Sequence, residues 1–388
     1  MRPDIPPHAV PLLKEEGFSL ERKGRFLVFR LKTPHLTLST SMINGGQSQR
    51  VGYLVNHQSC EGKGHLGRHA AAGEAGREEY HRQTCAEAEV PPGETALMGT
   101  AANMQNASVR KECFEETAIW AVVTAGVQGN AGRAGDAAAW HEGAAAWQPV
   151  HAVAGTINTV LLCNWPLLPA ALARAVATMT EAKTAVLQEL SVPSRYSQGL
   201  ATGTGTDQFC LAAPLDSLRS PKTWTGKHSK LGEIIAKAVM GATREALLWQ
   251  NGLEPSRTRN LIHALGRFGL TDAGLLASAG GRLEEKDRIL FEANLQAILH
   301  EPQTAGAAFA LAAVADRLAH GVLPPGAAGE LLLNQAALMA ASLAAKPEAF
   351  AAFRAALAAE AEGAAEGSGT VPDLAVRALA LGWREKWT

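Results

Sequence analysis

Five segments between residues 41 and 207 set glycine beside a hydroxyl, an amide or a charge. They are Ser41-Met42-Ile43-Asn44-Gly45-Gly46, Gly99-Thr100-Ala101-Ala102-Asn103-Met104, and Thr124-Ala125-Gly126 running on to Gly132-Arg133-Ala134-Gly135-Asp136. The remaining two are Gly155-Thr156-Ile157-Asn158, with Glu181-Ala182-Lys183 downstream, and Ala201-Thr202-Gly203-Thr204-Gly205-Thr206-Asp207. Each stands at the end of a predicted strand. Glycine lets a backbone approach a ligand or take positive φ, and the small polar neighbour supplies a hydrogen bond. One such loop is ordinary turn chemistry. Five together point to a site assembled from several strand ends.

A second cluster runs Asn56-His57-Gln58-Ser59-Cys60, then His65, His69, His81 and Cys85. His65 and His69 are four apart, so on a helix they would share a face, as zinc-binding pairs do. Gly64 and Gly67 weaken the helix, and the sequence reads instead as a polar surface loop. Its functional alternative is a lid whose imidazoles face a ligand. No metal site of the chain's own is expected.

The elements that must carry these groups follow from pattern. Leu27–Leu31 and Leu36–Thr40, separated by Lys32-Thr33-Pro34-His35, predict a hairpin. Ala118–Thr124, Thr156–Leu162 and Gln208–Ala213 are short apolar runs between breakers and predict buried strands. Pro169 to Leu190 predicts a helix, with proline suited to its first turn. Leu172, Val176, Met179, Leu187 and Leu190 form its apolar stripe, and Lys183 falls on that stripe while Glu181 points away. A lysine there either snorkels to the rim or faces a group that calls for a cation. After residue 255 the text turns alanine-rich and predicts about five helices and no strand. The expected division is residues 1–254 and 255–388.

Taken together, the glycine-bearing segments resemble the adenosylcobinamide amidohydrolase (CbiZ) family. The resemblance rests on Asn44-Gly45-Gly46, the Thr124…Asp136 segment, Gly155-Thr156-Ile157-Asn158, Glu181-Ala182-Lys183 and Ala201…Asp207. It closes on Gly226-Lys227-His228-Ser229-Lys230-Leu231-Gly232-Glu233 and covers about residues 20–245. It implies hydrolysis of the amide joining the aminopropanol arm of adenosylcobinamide to the corrin ring, with release of adenosylcobyric acid. Cobalt would arrive with the substrate, so the resemblance requires no cofactor of the protein's own. A wide cleft lined by backbone and small side chains suits so bulky an amide-rich molecule. Gly45, Gly46, Thr100, Thr124, Asn158, Thr204 and Thr206 would line it, with His57, Arg133, Asp136, His228 and Lys230 as further contacts. The bland alternatives are a turn capped by Asp136 beside Arg133, and a solvated helix entry at His228 and Lys230.

A second resemblance links Gly155-Thr156-Ile157…Pro166-Leu167-Leu168-Pro169 and Gly205-Thr206-Asp207 to self-cleaving β-peptidyl aminopeptidases. It implies an α/β layered core with two stacked sheets between helices, to which the C-terminal helices are an extension. By position it makes Thr156 the nucleophile, with Asn44 or Asn158 as oxyanion donors and Lys183 or Asp207 tuning charge. Against that, Thr156 simply begins a β-strand. Two other functions stand beside the leading one: a corrinoid-binding protein without hydrolysis, and an amidase for complete cobamides or peptides.

Composition narrows the setting. The 388 residues carry 36 basic and 37 acidic side chains and are 47% hydrophobic, which is a globular balance. A net charge of -1 argues against nucleic acid and against collection of the chain by anionic lipid. The N-terminus, Met1 to Pro7, lacks a signal peptide's apolar run, and prolines interrupt the longest uncharged stretch, Glu142 to Arg174. Cys60, Cys85, Cys113, Cys163 and Cys210 are scattered without CxxC spacing, as reduced thiols are. The expectation is a soluble cytoplasmic protein with a corrinoid substrate and no membrane partner. An exposed alanine stripe after residue 255 would make a homo-oligomer surface.

Overall fold

The computed structural model describes residues 9–59, 65–138, 140–142, 147–149, 155–362 and 370–387. It divides into unit 1, Met1–Val192 with Leu200–Gly252, and unit 2, Pro193–Gly199 with Leu253–Thr388. The short segment 193–199 thus leaves unit 1 in mid-chain and groups with the C-terminal residues.

Unit 1 contains strands β1 (Val10–Lys14), β2 (Phe18–Lys23), β3 (Phe26–Leu31), β4 (His35–Ser39), β5 (Gly46–Ser48), β6 (Tyr53–Gln58) and β7 (Thr95–Thr100). These are followed by β8 (Ser108–Phe114), β9 (Thr117–Ala125), β10 (Ala131–Gly132), β11 (Trp140–Glu142), β12 (Trp147–Pro149), β13 (Ile157–Cys163), β14 (Gly203–Thr204) and β15 (Gln208–Pro214). Its helices are α1 (His65–Ala88), α2 (Pro169–Glu189) and α3 (Lys230–Asn251). One sheet has the order β1-β2-β3-β6-β7 and the other β5-β4-β15-β13-β9-β8. Phe18, Leu20, Leu27, Phe29 and Leu54 of the first sheet share a core with Trp120, Val122, Val160 and Leu162 of the second. Outside the first sheet, Val28 and Val55 pack on Cys85 and Ala88 of α1. The α/β layered core with two stacked sheets between helices is the observed architecture.

Every residue of β9 and β13 is buried, which explains their uninterrupted apolar runs: both faces of a central strand are covered. Most pairs are antiparallel. The exceptions are β6 with β7 and β13 with β15. Parallel neighbours need a crossover, and α1 and α2 supply it in the two sheets.

Two local expectations change. β3 and β4 do not form a hairpin; they lie in different sheets. The better hairpin is β2 with β3, closed by Gly24-Arg25 between the paired residues Lys23 and Phe26. Gly24 takes φ 53, as such a two-residue turn demands. The Thr33-Pro34 corner instead carries the chain from one layer to the other. His35 lands there buried, its Nδ1 donating to the Thr33 carbonyl at 2.6 Å, and burial pushes its pKa down. The second change is α1, whose backbone is helical from His65 onward despite the glycines, with a break at Gly76 (φ 77). Cys60 lies outside the described residues, as do the side chains of His65 and His69.

In unit 2 the described residues after 252 form nine α-helices rather than about five, and no strand. They are α4 (Pro255–Thr258), α5 (Leu261–Leu265), α6 (Asp272–Gly280), α7 (Glu285–Ala293), α8 (Leu295–Leu299), α9 (Pro302–Ala319), α10 (Ala328–Ala344), α11 (Phe350–Glu362) and α12 (Val371–Glu385). Short helices between polar caps account for the excess: Asn260, Thr271 and Glu301 each accept from the N–H groups of a new first turn. Alanine has a packing reason. A Cβ on Gly382 of α12 would come within 3.0 Å of Ala340 Cα on α10, so the two helices touch backbone to backbone. The stretch Pro325–Ala344 is long and apolar enough by composition to cross a membrane, and Ala336 to Ala344 of it supply core residues of unit 2. Arg267, beside Asp316 at 2.6 Å on two oxygens, also donates to the Gln198 carbonyl and so holds the 193–199 segment.

Candidate active site

The parallel pairing of β13 with β15 builds the site. Its register sets Asn158 opposite Gln208, so the residues just before the strands, Thr156 and Thr206, also meet. Thr156 Oγ1 donates to the Thr206 carbonyl at 2.5 Å. The Thr206 hydroxyl lies 2.9 Å from Thr156 Oγ1 and 3.0 Å from the Gly155 carbonyl oxygen. Its single proton serves one of them at a time. Asn130 Nδ2 donates to the same Gly155 carbonyl at 2.9 Å. Gly155 itself sits at φ 146, where a Cβ would come 2.9 Å from the Gly126 carbonyl oxygen and 3.1 Å from Asn130. Only glycine fits that position.

Asp207 ties the next layer. Its carboxylate accepts from Lys183 Nζ, from Ile157 N at 3.0 Å, from Thr204 N at 3.1 Å and from Thr204 Oγ1 at 2.5 Å. Both members of the ion pair are largely withdrawn from solvent, with side chains 12% and 19% exposed. Lys183 therefore reaches an acid rather than the rim. Gly203 is required beside them, because a Cβ there would land on Asp207 Oδ2 and Lys183 Nζ. Carboxylate oxygen, lysine and the N–H immediately after Thr156 are thus locked together, which fixes the Thr156 backbone.

Behind this layer a polar ladder crosses between the sheets. Asn158 Nδ2 donates to Asn56 Oδ1 at 2.8 Å and to the Gly99 carbonyl at 3.0 Å, and Asn56 Nδ2 donates to Thr124 Oγ1 at 2.9 Å. Gly99 N in turn donates to Gln208 Oε1 at 3.1 Å. His57 Nδ1 donates to the Met98 carbonyl at 2.7 Å, which leaves Nε2 to accept from Tyr80 Oη at 2.7 Å. Asn56, Asn158 and Thr124 are all buried, and Asn158 Oδ1 has no donor among the described residues. A buried acceptor without a donor costs about 1–3 kcal/mol, a cost more often retained at functional sites than elsewhere.

The other sequence candidates are placed at graded distances. Arg133 and Asp136 form the capped turn, Arg133 N donating to Asp136 Oδ2 at 2.7 Å. That turn is bonded to the Thr202 end of the site loop through Ala134 N and Gly132 O. Thr100 Oγ1 accepts from Ala102 N at 3.0 Å, one residue beyond Gly99. Asn44 is further off: its Nδ2 donates to the Pro92 and Thr95 carbonyls at 2.8 and 2.9 Å, so neither amide hydrogen is free for an oxyanion. Thr95 precedes Gly99 by four strand positions, about 13 Å. Asn44, with Gly45, instead lines a cavity of about 440 Å³ with Gln47 and Arg50, and Gly46 follows at φ 71. His228 and Lys230 stand at the entry to α3, where Ser229 caps the helix and Lys230 pairs with Glu233 at 2.6 Å. Lys230 Nζ covers the ring of Phe114, which is near the Thr117 end of β9. Thr124 is at the other end of that strand, about 23 Å away. The structure does not bring these two into the cluster. His81 is buried, its Nε2 donating to Pro92 O at 3.0 Å beside Cys85, and no group of three or more metal-ligating side chains occurs among the described residues.

Asn130 was absent from the candidates read off the sequence. Its signal was present, since Gly129-Asn130 repeats the pairing of glycine with an amide, but it lies inside the run from Gly126 to Gly132 that carried the other residues.

A family model described as adenosylcobinamide amidohydrolase matches residues 12–255. The chain belongs to that family. Every residue of the Thr156 cluster falls inside the matched span. The uncharacterized protein MJ1613 of Methanocaldococcus jannaschii is 37% identical over 188 residues, which is 45% of this chain and 71% of that one. Among solved structures, the PH0078 protein of Pyrococcus horikoshii OT3 overlaps 62% of this chain and 83% of its own at 12% identity, with a TM-score of 0.30. That overlap is too slight to carry an argument, and the amidohydrolase-family fold described above rests on the chain's own sheets and core.

Proposed function

We propose that this protein hydrolyses the amide between the aminopropanol arm and the corrin ring of adenosylcobinamide, releasing adenosylcobyric acid, with Thr156 as nucleophile. Family membership supports the substrate class, and the Thr156 cluster supports amide chemistry. The observation that supports the nucleophile is the Thr206 hydroxyl, which lies within hydrogen-bond reach of both Thr156 Oγ1 and the carbonyl oxygen of the preceding Gly155, an oxygen that Asn130 also grips. An acyl carbon beside a hydroxyl, with its oxygen between two donors, is the arrangement a tetrahedral intermediate requires.

Both partners of the Thr156 hydroxyl are neutral, a carbonyl and another hydroxyl. Neither is a base. Attack of Thr156 Oγ on the Gly155 carbonyl carbon would move the acyl group to oxygen as its C–N bond breaks and the proton passes to nitrogen. Water would then cleave the ester, leaving a Gly155 carboxylate and a free Thr156 amine. That amine is the base an N-terminal threonine uses. Asn130 and Thr206 would afterwards face the substrate's carbonyl oxygen, while Lys183 and Asp207 hold the Thr156 backbone. The corrinoid brings its own cobalt, and no other cofactor enters this reading.

Incubation with adenosylcobinamide, followed by chromatography for adenosylcobyric acid, tests the activity. Tight corrinoid binding without product would favour a non-hydrolytic binding protein. Intact mass separates processing from nucleophilicity: two fragments meeting at Gly155 and Thr156 are expected. A full-length active chain would remove the processing step and leave the nucleophile standing.

A further inference from the structure

Gln208 opens β15 on the face turned toward the other sheet. Cys210, two positions further along and on the same face, is sealed in the core between the sheets, whereas Gln208 is half-buried. The space between the sheets is therefore closed at Cys210 and open at Gln208. Gln208 reaches across it, its Oε1 accepting from Gly99 N at 3.1 Å. That bond settles which way the amide points, since the reverse orientation would set N–H against N–H. Gly99 is itself fixed: Asn158 Nδ2 donates to its carbonyl at 3.0 Å, and a Cβ on it would come 3.2 Å from the His57 ring. With its oxygen committed, Gln208 is left with two N–H donors on Nε2, and neither has a partner among the described residues. Nε2 does not supply even Asn158 Oδ1, the buried acceptor without a donor on the residue of β13 paired with Gln208. The bond to Gly99 thus holds a free donor away from the ladder.

We propose that Gln208 Nε2 binds the carbonyl oxygen of a carboxamide on the rim of the corrin ring and so positions the scissile amide at Thr156. The inference rests on the corrinoid reading above and adds a recognition residue to it. Local charge selects the ligand. Asn56, Gly99, Thr124 and Asn158, the residues bonded together in the ladder, are all neutral, and Lys183 is already paired with Asp207. A carboxylate entering here would lose its hydration with no cation to receive it, whereas a neutral carbonyl exchanges one hydrogen bond for another. Reach is the second argument. Gln208 follows Thr206 by two residues, a span of at most about 7 Å, so one broad molecule carrying several amides can meet the Thr206 hydroxyl and Gln208 together. Gln208 touches no bond that is broken. It is a positioning residue, and it acts on how the substrate is held.

The test uses the full-length protein and Gln208→Glu, which keeps an oxygen for Gly99 N and removes the donors. KM for adenosylcobinamide should rise about tenfold while kcat stays within about threefold, as when ground-state binding alone is lost. Titration of adenosylcobinamide into the Thr156→Ala chain, with and without Gln208→Glu, should show the same loss of affinity. Gln208→Met removes the oxygen as well, so it should match that loss and also lower the denaturation midpoint, because Gly99 N then lacks its acceptor. Unchanged KM and affinity in Gln208→Glu would overturn the proposal while hydrolysis stands. A lowered kcat at unchanged KM would also overturn it, as would a lowered midpoint in Gln208→Glu itself, which would reduce Gln208 to a strut between the sheets. Affinity weakened by Gln208→Glu, in a protein whose wild type releases no adenosylcobyric acid, would keep the recognition and remove the hydrolysis. Failure of every chain to bind adenosylcobinamide would remove both.

Discussion

At its Ile157 end, β13 emerges among hydroxyls, amides and an ion pair; at its Cys163 end it runs into Trp165 and a loop of leucine, tryptophan and cations. The strand is seven residues long and buried throughout, so the same rigid element presents both surfaces. They differ in how polar groups are satisfied. At the first end hydrogen bonds close on one another, and Thr156 is 3% exposed within them. At the second, cations cover aromatic faces and their charges remain open to solvent. Inward closure fixes the positions of its groups, whereas groups at the second end meet solvent. A buried central strand separates the two surfaces by roughly 20 Å.

Substitution of the nucleophile should break the comparison most sharply. Thr156→Ala is expected to lower adenosylcobinamide turnover by about 10³-fold or more, while Trp224→Ala at the opposite end leaves turnover within about twofold. Near-normal turnover of folded Thr156→Ala would end the assignment of that residue. Next in size is the ion pair. Asp207→Asn leaves Lys183 without its acid, and urea denaturation should show a loss of about 2–3 kcal/mol, below the range for a fully buried pair because both side chains keep some exposure. An unchanged denaturation midpoint would mean that the cluster is held by its hydroxyl and amide bonds alone. Gly155→Ala should cost about 1–3 kcal/mol from backbone strain at φ 146 and lower turnover with it. A stable and fully active Gly155→Ala would show that the close approach to Gly126 relaxes freely.

The smallest expected effect belongs to His35, which pairs with Pro214 at the Cys163 end of the sheet. Burial lowers the folded-state pKa of His35, so the unfolded chain binds a proton more readily. Its stabilising contribution is therefore complete above the unfolded pKa of about 6.5 and declines as pH falls toward the depressed folded value. Denaturation at pH 7 and pH 5 should reveal a loss that His35→Gln reduces. An equal pH dependence in that variant would place the titration elsewhere.

Much of unit 1 was legible because burial writes itself into composition. β9, β13 and β15 are apolar runs, and α2 carries a stripe with Lys183 on it. Gly155, Thr156 and Asp207 stand where strands begin, and their types already indicated a site. The hairpin expected of β3 and β4 failed because short apolar strands do not record which sheet they join; Gly24 offered β3 a tighter turn. Asn44 and His228 share their residue types with groups of the sequence-read cluster, but type carries no distance. The helices of unit 2 were undercounted because caps such as Asn260 and Thr271 resemble loop residues until their N–H partners are known.

The sequence by itself determined the layered class, the family, and the residues able to supply hydroxyl, amide, acid and cation. Local propensity and hydrophobic period suffice for that, since both act over a few neighbours. Tertiary structure decided which of them meet. The parallel register of β13 with β15 put Thr156 beside Thr206, the α2 crossover returned Lys183 to Asp207, and the turn at Gly155 delivered its carbonyl to Asn130. Those pairings span 24 to 50 residues, and only packing both sheets and the helix into one core fixes them.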